Sequence, residues 1–151
     1  MRASETQAVR RVADAMVTRP KTHGPGSGLA EIRAFFDDDH VHMALIVATD
    51  GRLVTTIERP DLAAATSSSV SVATLGTLDG RTAGPADPLA AATATLLREG
   101  RRRLAVVDES GRLLGLLCLT RNGTGYCSDE GIGERAAEYA LRDGRLPLAG
   151  R

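Results

Sequence analysis

The densest group of side chains able to do chemistry is Asp37-Asp38-Asp39-His40-Val41-His42. Carboxylate and imidazole donors suit a divalent cation, but adjacent residues closing a helix do not converge on one point by themselves. The run therefore reads as a helix end and an exposed turn, and no metal is expected. His23 lies apart from it and is expected at a surface or interface. The two cysteines, Cys118 and Cys127, are too few for a disulfide framework and have no histidine at a readable spacing, so reduced thiols are expected, with Cys118 buried. The glycine-rich turns Gly24-x-Gly26-x-Gly28 and Gly123-x-Gly125 lack the lysine and helix context of a phosphate loop. Arg101-Arg102-Arg103 cannot all point into one cleft; they read as a solvated turn, with one arginine reaching a phosphate as the alternative. No nucleophile, base and orienting group form a set, so an enzyme is not expected.

Composition sets bounds around these residues. The chain has 151 residues, 42% of them hydrophobic, enough for one core. With 19 basic and 19 acidic residues it has no charge excess to hold nucleic acid or an anionic membrane, and neither partner is expected. The N-terminus carries no apolar stretch of signal-peptide or membrane-span length, and a cytoplasmic location is expected.

The elements that must position these groups repeat. A shift of 60 residues lays Thr22, Gly24, Pro25, Leu29, Ala30, Ala34, Val47, Gly51, Arg52 and Leu53 onto Thr82, Gly84, Pro85, Leu89, Ala90, Ala94, Val107, Gly111, Arg112 and Leu113 without a gap. Such self-similarity marks two copies of one supersecondary unit. In each, a Gly-Pro turn precedes a helical pattern, Leu29 to about Asp37 and Leu89 to about Arg98. A short apolar run follows, Ala44–Val47 and Leu104–Val107, then Asp50-Gly51 or Ser110-Gly111, then a second run, Leu53–Ile57 and Leu113–Leu117. That order predicts a buried antiparallel hairpin.

Residues 4–16 and Asp129–Leu141 read as flanking amphipathic helices. The serine-rich stretch Ala65–Ser71 is either a linker or the end of a helix opening near Asp61. The halves, 1–70 and 71–151, are expected to pack as an intramolecular pair, since one unit alone leaves a sheet face uncovered.

With these residues in place, the chain resembles the CBS-domain family, whose tandem pair forms a Bateman module. The resemblance covers residues 10–122. It rests on Val12-Ala13-Asp14-Ala15-Met16-Val17-Thr18 before the first copy, on Val106-Val107-Asp108 followed by Ser110-Gly111-Arg112-Leu113-Leu114-Gly115, and on the exact repeat. It implies an α/β fold of two β-α-β-β-α repeats in a pseudo-twofold pair with flanking helices, and a homodimer formed through helices. It also implies a regulatory cleft for an adenosine-containing ligand such as AMP, ADP or ATP, read by a Thr/Ser-x-x-Asp element after the last strand. The alternative is an interaction or structural module, with a protein partner, that no longer takes nucleotides.

In the first copy the Thr/Ser-x-x-Asp element falls on Glu58-Arg59-Pro60-Asp61, which keeps the acid and replaces the hydroxyl. Asp61 also follows Pro60, where it suits the first turn of a helix, and the two roles are compatible. In the second copy the element falls on Cys118-Leu119-Thr120-Arg121, where Arg121 could pair with a phosphate. Lys21 and Thr22, their repeat partners Arg81 and Thr82, and Arg103 are placed near the cleft by position. The candidate ligand residues are thus Lys21, Thr22, Glu58, Asp61, Arg81, Arg103, Cys118 and Arg121.

Overall fold

The computed structural model describes residues 10–65, 67, 69–120 and 125–127. In chain order these form α1 (Val12–Ala15), α2 (Leu29–Phe35), β1 (Ala44–Val47), β2 (Leu53–Ile57) and α3 (Arg59–Ala63). A 3-10 turn (Val72–Thr74), β3 (Thr82–Ala83), α4 (Leu89–Glu99), β4 (Arg103–Val107) and β5 (Leu113–Cys118) follow. The expected order of helix, strand and strand is present twice. The arrangement is the mixed α/β pair that the repeat predicts.

The two longer helices, α2 and α4, form where apolar residues recur every three or four positions, and that spacing decides which face is buried. Leu89, Ala92 and Leu96 bury one face of α4, which ends at Gly100 in the left-handed region with φ of 67°. Leu29 and Ile32 do the same in α2, which stops at Phe35, short of the acidic run. α3 ends at Ala63, so the serine-rich stretch begins after it rather than inside it. Residues 4–9 of the first expected flanking helix and all of the second lie outside the described residues; in the described part of the first, only Val12–Ala15 is helical, with Arg11 and Met16 extended on either side.

The hairpins are antiparallel, each with a register shift one residue before the turn, between Ile46 and Val47 and between Val106 and Val107. β3 adds to β4 in parallel, whereas the first repeat has a single bridge there, His23 to Ile46. The two turns then pair with each other: Leu53 donates its N–H to the Gly111 carbonyl at 2.9 Å and Leu113 donates to that of Gly51 at 3.0 Å. This exchange lies on the approximate twofold relating the repeats. Around it Met43, Leu45, Leu53, Ala105 and Leu116 bury a shared apolar cluster.

The segment leading into each repeat packs on the other one. Val12 lies in the core of the second repeat with Leu96, Leu104 and Leu117, and Val72 lies in that of the first with Ile32, Ile46 and Ile57. Val17 then pairs with Leu116, and Thr77 with Thr56, before the chain crosses to its own repeat at His23 or at Thr82. Each crossing needs one glycine for close backbone approach. A Cβ on Gly76 would stand 1.9 Å from the Thr56 carbonyl oxygen, and one on Gly115 would stand 2.5 Å from that of Val17. The glycine sits on the crossing segment in one case and on the receiving strand in the other.

Candidate functional site

The crossings create two quasi-equivalent clefts between the repeats, related by the 60-residue shift. One lies where Thr77 to Thr82 passes the end of β2; the other lies where Val17 to His23 passes the end of β5.

In the cleft beside β2 this chain's own acidic and basic side chains meet. Glu58 precedes α3, and its N–H donates to Asp61 Oδ2 at 2.8 Å while the two residues form a capping box. That places both carboxylates side by side at the cleft. Arg81 enters from the second crossing. Its Nη1 donates to Asp61 Oδ2 at 2.7 Å and to the Thr56 carbonyl at 3.2 Å, and its Nη2 lies 3.4 Å from Glu58 Oε1. Arg101 approaches from the far side, its Nε donating to Glu58 Oε2 at 2.9 Å.

The side chain of Arg81 is 9% exposed, and those of Glu58 and Asp61 are 18% and 19% exposed. Burial alone pushes the Asp61 carboxyl up. The Arg81 hydrogen bond and the Glu58 N–H outweigh it and hold the group below its usual range. The Arg101 guanidinium is pushed up by its bond to Glu58.

The cleft beside β5 is open, with a volume of about 700 Å³. Val17, Phe35, Met43, Leu45 and Leu116 supply apolar wall, while Lys21 and Arg103 bring positive charge and Glu31, Asp37 and Asp38 bring negative charge. Arg103 is 6% exposed; its Nη2 donates to the His40 carbonyl at 3.1 Å and its Nη1 to that of Leu119 at 3.4 Å. Arg102 Nη1 lies 3.2 Å from His42 Nε2, which makes the imidazole an acceptor. Burial first, and then Arg103, Arg102 and Arg59, lower the His42 pKa to about 4, so the ring is neutral near pH 7. His23 is also lowered, chiefly by burial, and Phe35 packs edge-on to it at 4.6 Å. Its Nδ1 is buried with no hydrogen-bond partner among the described residues.

Lys21, Arg103 and the unforeseen His23 and His42 therefore share the open cleft, while Glu58, Asp61 and Arg81 share the closed one. Thr22, next to Lys21 in extended chain, is exposed and does not line the open cleft, and Thr82 lies in β3 away from it. Arg121 lies outside the described residues. Three expectations are corrected. The arginine run is not a solvated turn, because each guanidinium finds partners on or beside the first repeat or on Leu119. His23 is not a surface residue, because its bridge to Ile46 turns the ring under Phe35. Cys118 and Cys127 are not reduced thiols: they form a disulfide, with Cα atoms 5.3 Å apart and Cys127 N–H donating to the Cys118 carbonyl at 2.7 Å.

Among the described residues, no three His, Cys, Asp or Glu side chains gather as a metal site, and no helix is long and apolar enough to cross a membrane.

Residues 80–121 match the family model of the CBS domain. Comparison with curated protein sequences returns no relative. Among solved structures, the fold is similar to that of CBSX2 in complex with AMP, with a TM-score of 0.62 and 22% identity over 90% of this chain and 99% of that one. It is similar to the CBS domain pair of protein MJ0100 in complex with 5-methylthioadenosine and S-adenosyl-L-methionine, with a TM-score of 0.58 and 18% identity over 87% and 98%. It is also similar to the CBS domain protein TA0289 from Thermoplasma acidophilum, with a TM-score of 0.59 and 17% identity over 76% and 71%.

Proposed function

From a chain built as a tandem CBS-domain pair, with the family pattern in its second repeat, we propose a regulatory module that takes an adenosine-containing ligand such as AMP, ADP or ATP in the open cleft. The observation that carries this reading is the cleft itself. A space of about 700 Å³ between repeats, apolar on Val17, Leu45 and Leu116 and carrying both Lys21 and Arg103 and the acids Glu31, Asp37 and Asp38, suits a molecule with a flat apolar face and hydroxyl groups for the acids, its anionic end placed at Lys21. Two similar folds are described in complexes with AMP and with S-adenosyl-L-methionine, which supports the ligand class. The role is regulatory rather than catalytic. A ligand seated between repeats shifts the population of their arrangements to the extent that it binds one better than another.

The reading includes a cytoplasmic location and a homodimer formed through helices. Leu97, 58% exposed on α4, is the residue at which to test the dimer contact. A second reading, an interaction module that binds a protein partner and takes no nucleotide, is favoured by the closed cleft, where Arg81 occupies the acidic pair.

Thermal unfolding against AMP, ADP, ATP and S-adenosylmethionine, with and without magnesium, separates the two. One-site binding at a hundredfold over Kd adds about 2.7 kcal/mol, and each kcal/mol moves Tm by about 2–4 °C at this size. A rise of about 5 °C or more with one ligand supports the regulatory reading. No rise with any of them supports the interaction module.

A further inference from the structure

We infer that the closed cleft is a guanidinium-binding site whose occupant is Arg81 of the same chain, and that this internal occupancy limits the module to one external ligand per chain. The limit of one ligand rests on the proposed function; the guanidinium site does not.

The acceptors surrounding Arg81 are two carboxylates and a backbone carbonyl: Asp61 at 2.7 Å, Thr56 O at 3.2 Å and Glu58 at 3.4 Å. A planar group with several N–H donors satisfies such a set, and a compact ammonium does so less well. The set does not depend on Arg81 for its shape. Asp61 is oriented by the Glu58 N–H at 2.8 Å, and Glu58 is held from the other side by Arg101 at 2.9 Å. Removing the Arg81 side chain therefore leaves a formed acidic pocket, not a collapsed one. The other crossing shows what happens without these groups. Its residue equivalent to Arg81 is Lys21, the positions equivalent to Glu58 and Asp61 are Cys118 and Arg121, and the cleft there stands open.

The test uses Arg81→Ala and Arg81→Lys in the full chain, with ethylguanidinium as the probe at about 10 mM, far below the molar range in which guanidinium salts denature. Arg81→Ala is expected to lower Tm by about 6–12 °C, the size associated with leaving half-buried carboxylates unpaired. The probe is expected to restore at least half of that loss, to leave wild type unchanged, and to do nothing for Arg81→Ala/Asp61→Asn. Should Arg81→Ala fail to fold, the same rescue is read on the milder loss in Arg81→Lys. Absence of rescue in whichever variant folds, an equal effect on wild type, or persistence without the Asp61 carboxylate overturns the site.

Calorimetric titration with AMP then separates this inference from the proposed function. One AMP per wild-type chain, with guanidinium rescue intact, supports both. No AMP bound by wild type, with guanidinium rescue intact, removes the proposed function and keeps the guanidinium site. Two AMP per wild-type chain overturns the internal occupancy.

Discussion

The two clefts have the same backbone plan and opposite contents. At one crossing Arg81 pairs with Glu58 and Asp61; at the other Lys21 lines a cleft of about 700 Å³ together with Arg103, Glu31, Asp37 and Asp38. Repeating a fold fixes where clefts lie, but a few charges at matching positions decide what lines each one. The acid pair and its arginines lie on different repeats, so their ion pairs also tie the repeats together, a task shared at the open cleft by the backbone pairing of Val17 with Leu116 and by Arg102 and Arg103 reaching His42 and the His40 carbonyl.

The largest break in this comparison comes from the backbone at the closed crossing. Gly76→Ala places a Cβ against the Thr56 carbonyl at a φ of +70°, and a loss of about 4 kcal/mol or more is expected in chemical denaturation. Next is the tether at the end of β5. Replacing both Cys118 and Cys127 by serine, or reducing them, is expected to cost about 2–3 kcal/mol, the entropy of a loop of roughly ten residues. A reductant titration followed by thermal melts measures it.

A smaller effect separates the clefts by pH. His42 beside the open cleft is held at about 4 in the fold against 6.5 unfolded, so between these values the unfolded chain binds the extra proton. Stability therefore falls as pH drops from about 6.5 to 4, by about 1–2 kcal/mol after allowance for solvent screening. His23, lowered as well, adds in the same direction. His42→Asn should flatten most of this slope, and stability curves at pH 7 and pH 4.5 measure it. Smallest is Lys21→Ala: an exposed side chain, its loss should change stability by less than about 0.5 kcal/mol.

Most of the fold was legible in the sequence because burial writes itself into periodicity. The two hairpins, Ala44–Val47 with Leu53–Ile57 and Leu113 with its neighbours, show as apolar runs broken by a glycine turn, and the repeat doubled that signal. The site was legible only as a list of residues. Charge at positions 58, 61, 81 and 101 is visible in the sequence, but that these four meet depends on the crossing of each leading segment onto the other repeat. Val12 and Val72 are plain apolar residues in sequence and carry no mark of which core they join. The arginine run reads as solvated in sequence for the same reason, since exposure on average says nothing about a partner some 40 to 60 residues away, as Arg101 with Glu58 and Arg103 with His40 have. The disulfide is not visible in the sequence because two cysteines on one chain carry no geometry until Leu119 pairs with Tyr126 and brings them level.

We propose that the ligand enters the open cleft and not the closed one. The most direct test is the AMP affinity of Lys21→Ala beside that of Asp61→Asn, each measured by calorimetry on protein shown to be folded. A loss of about tenfold or more is expected for Lys21→Ala, the cost of one charged contact, and an unchanged affinity for Asp61→Asn. A loss confined to Asp61→Asn, with Lys21→Ala binding as wild type does, would contradict it.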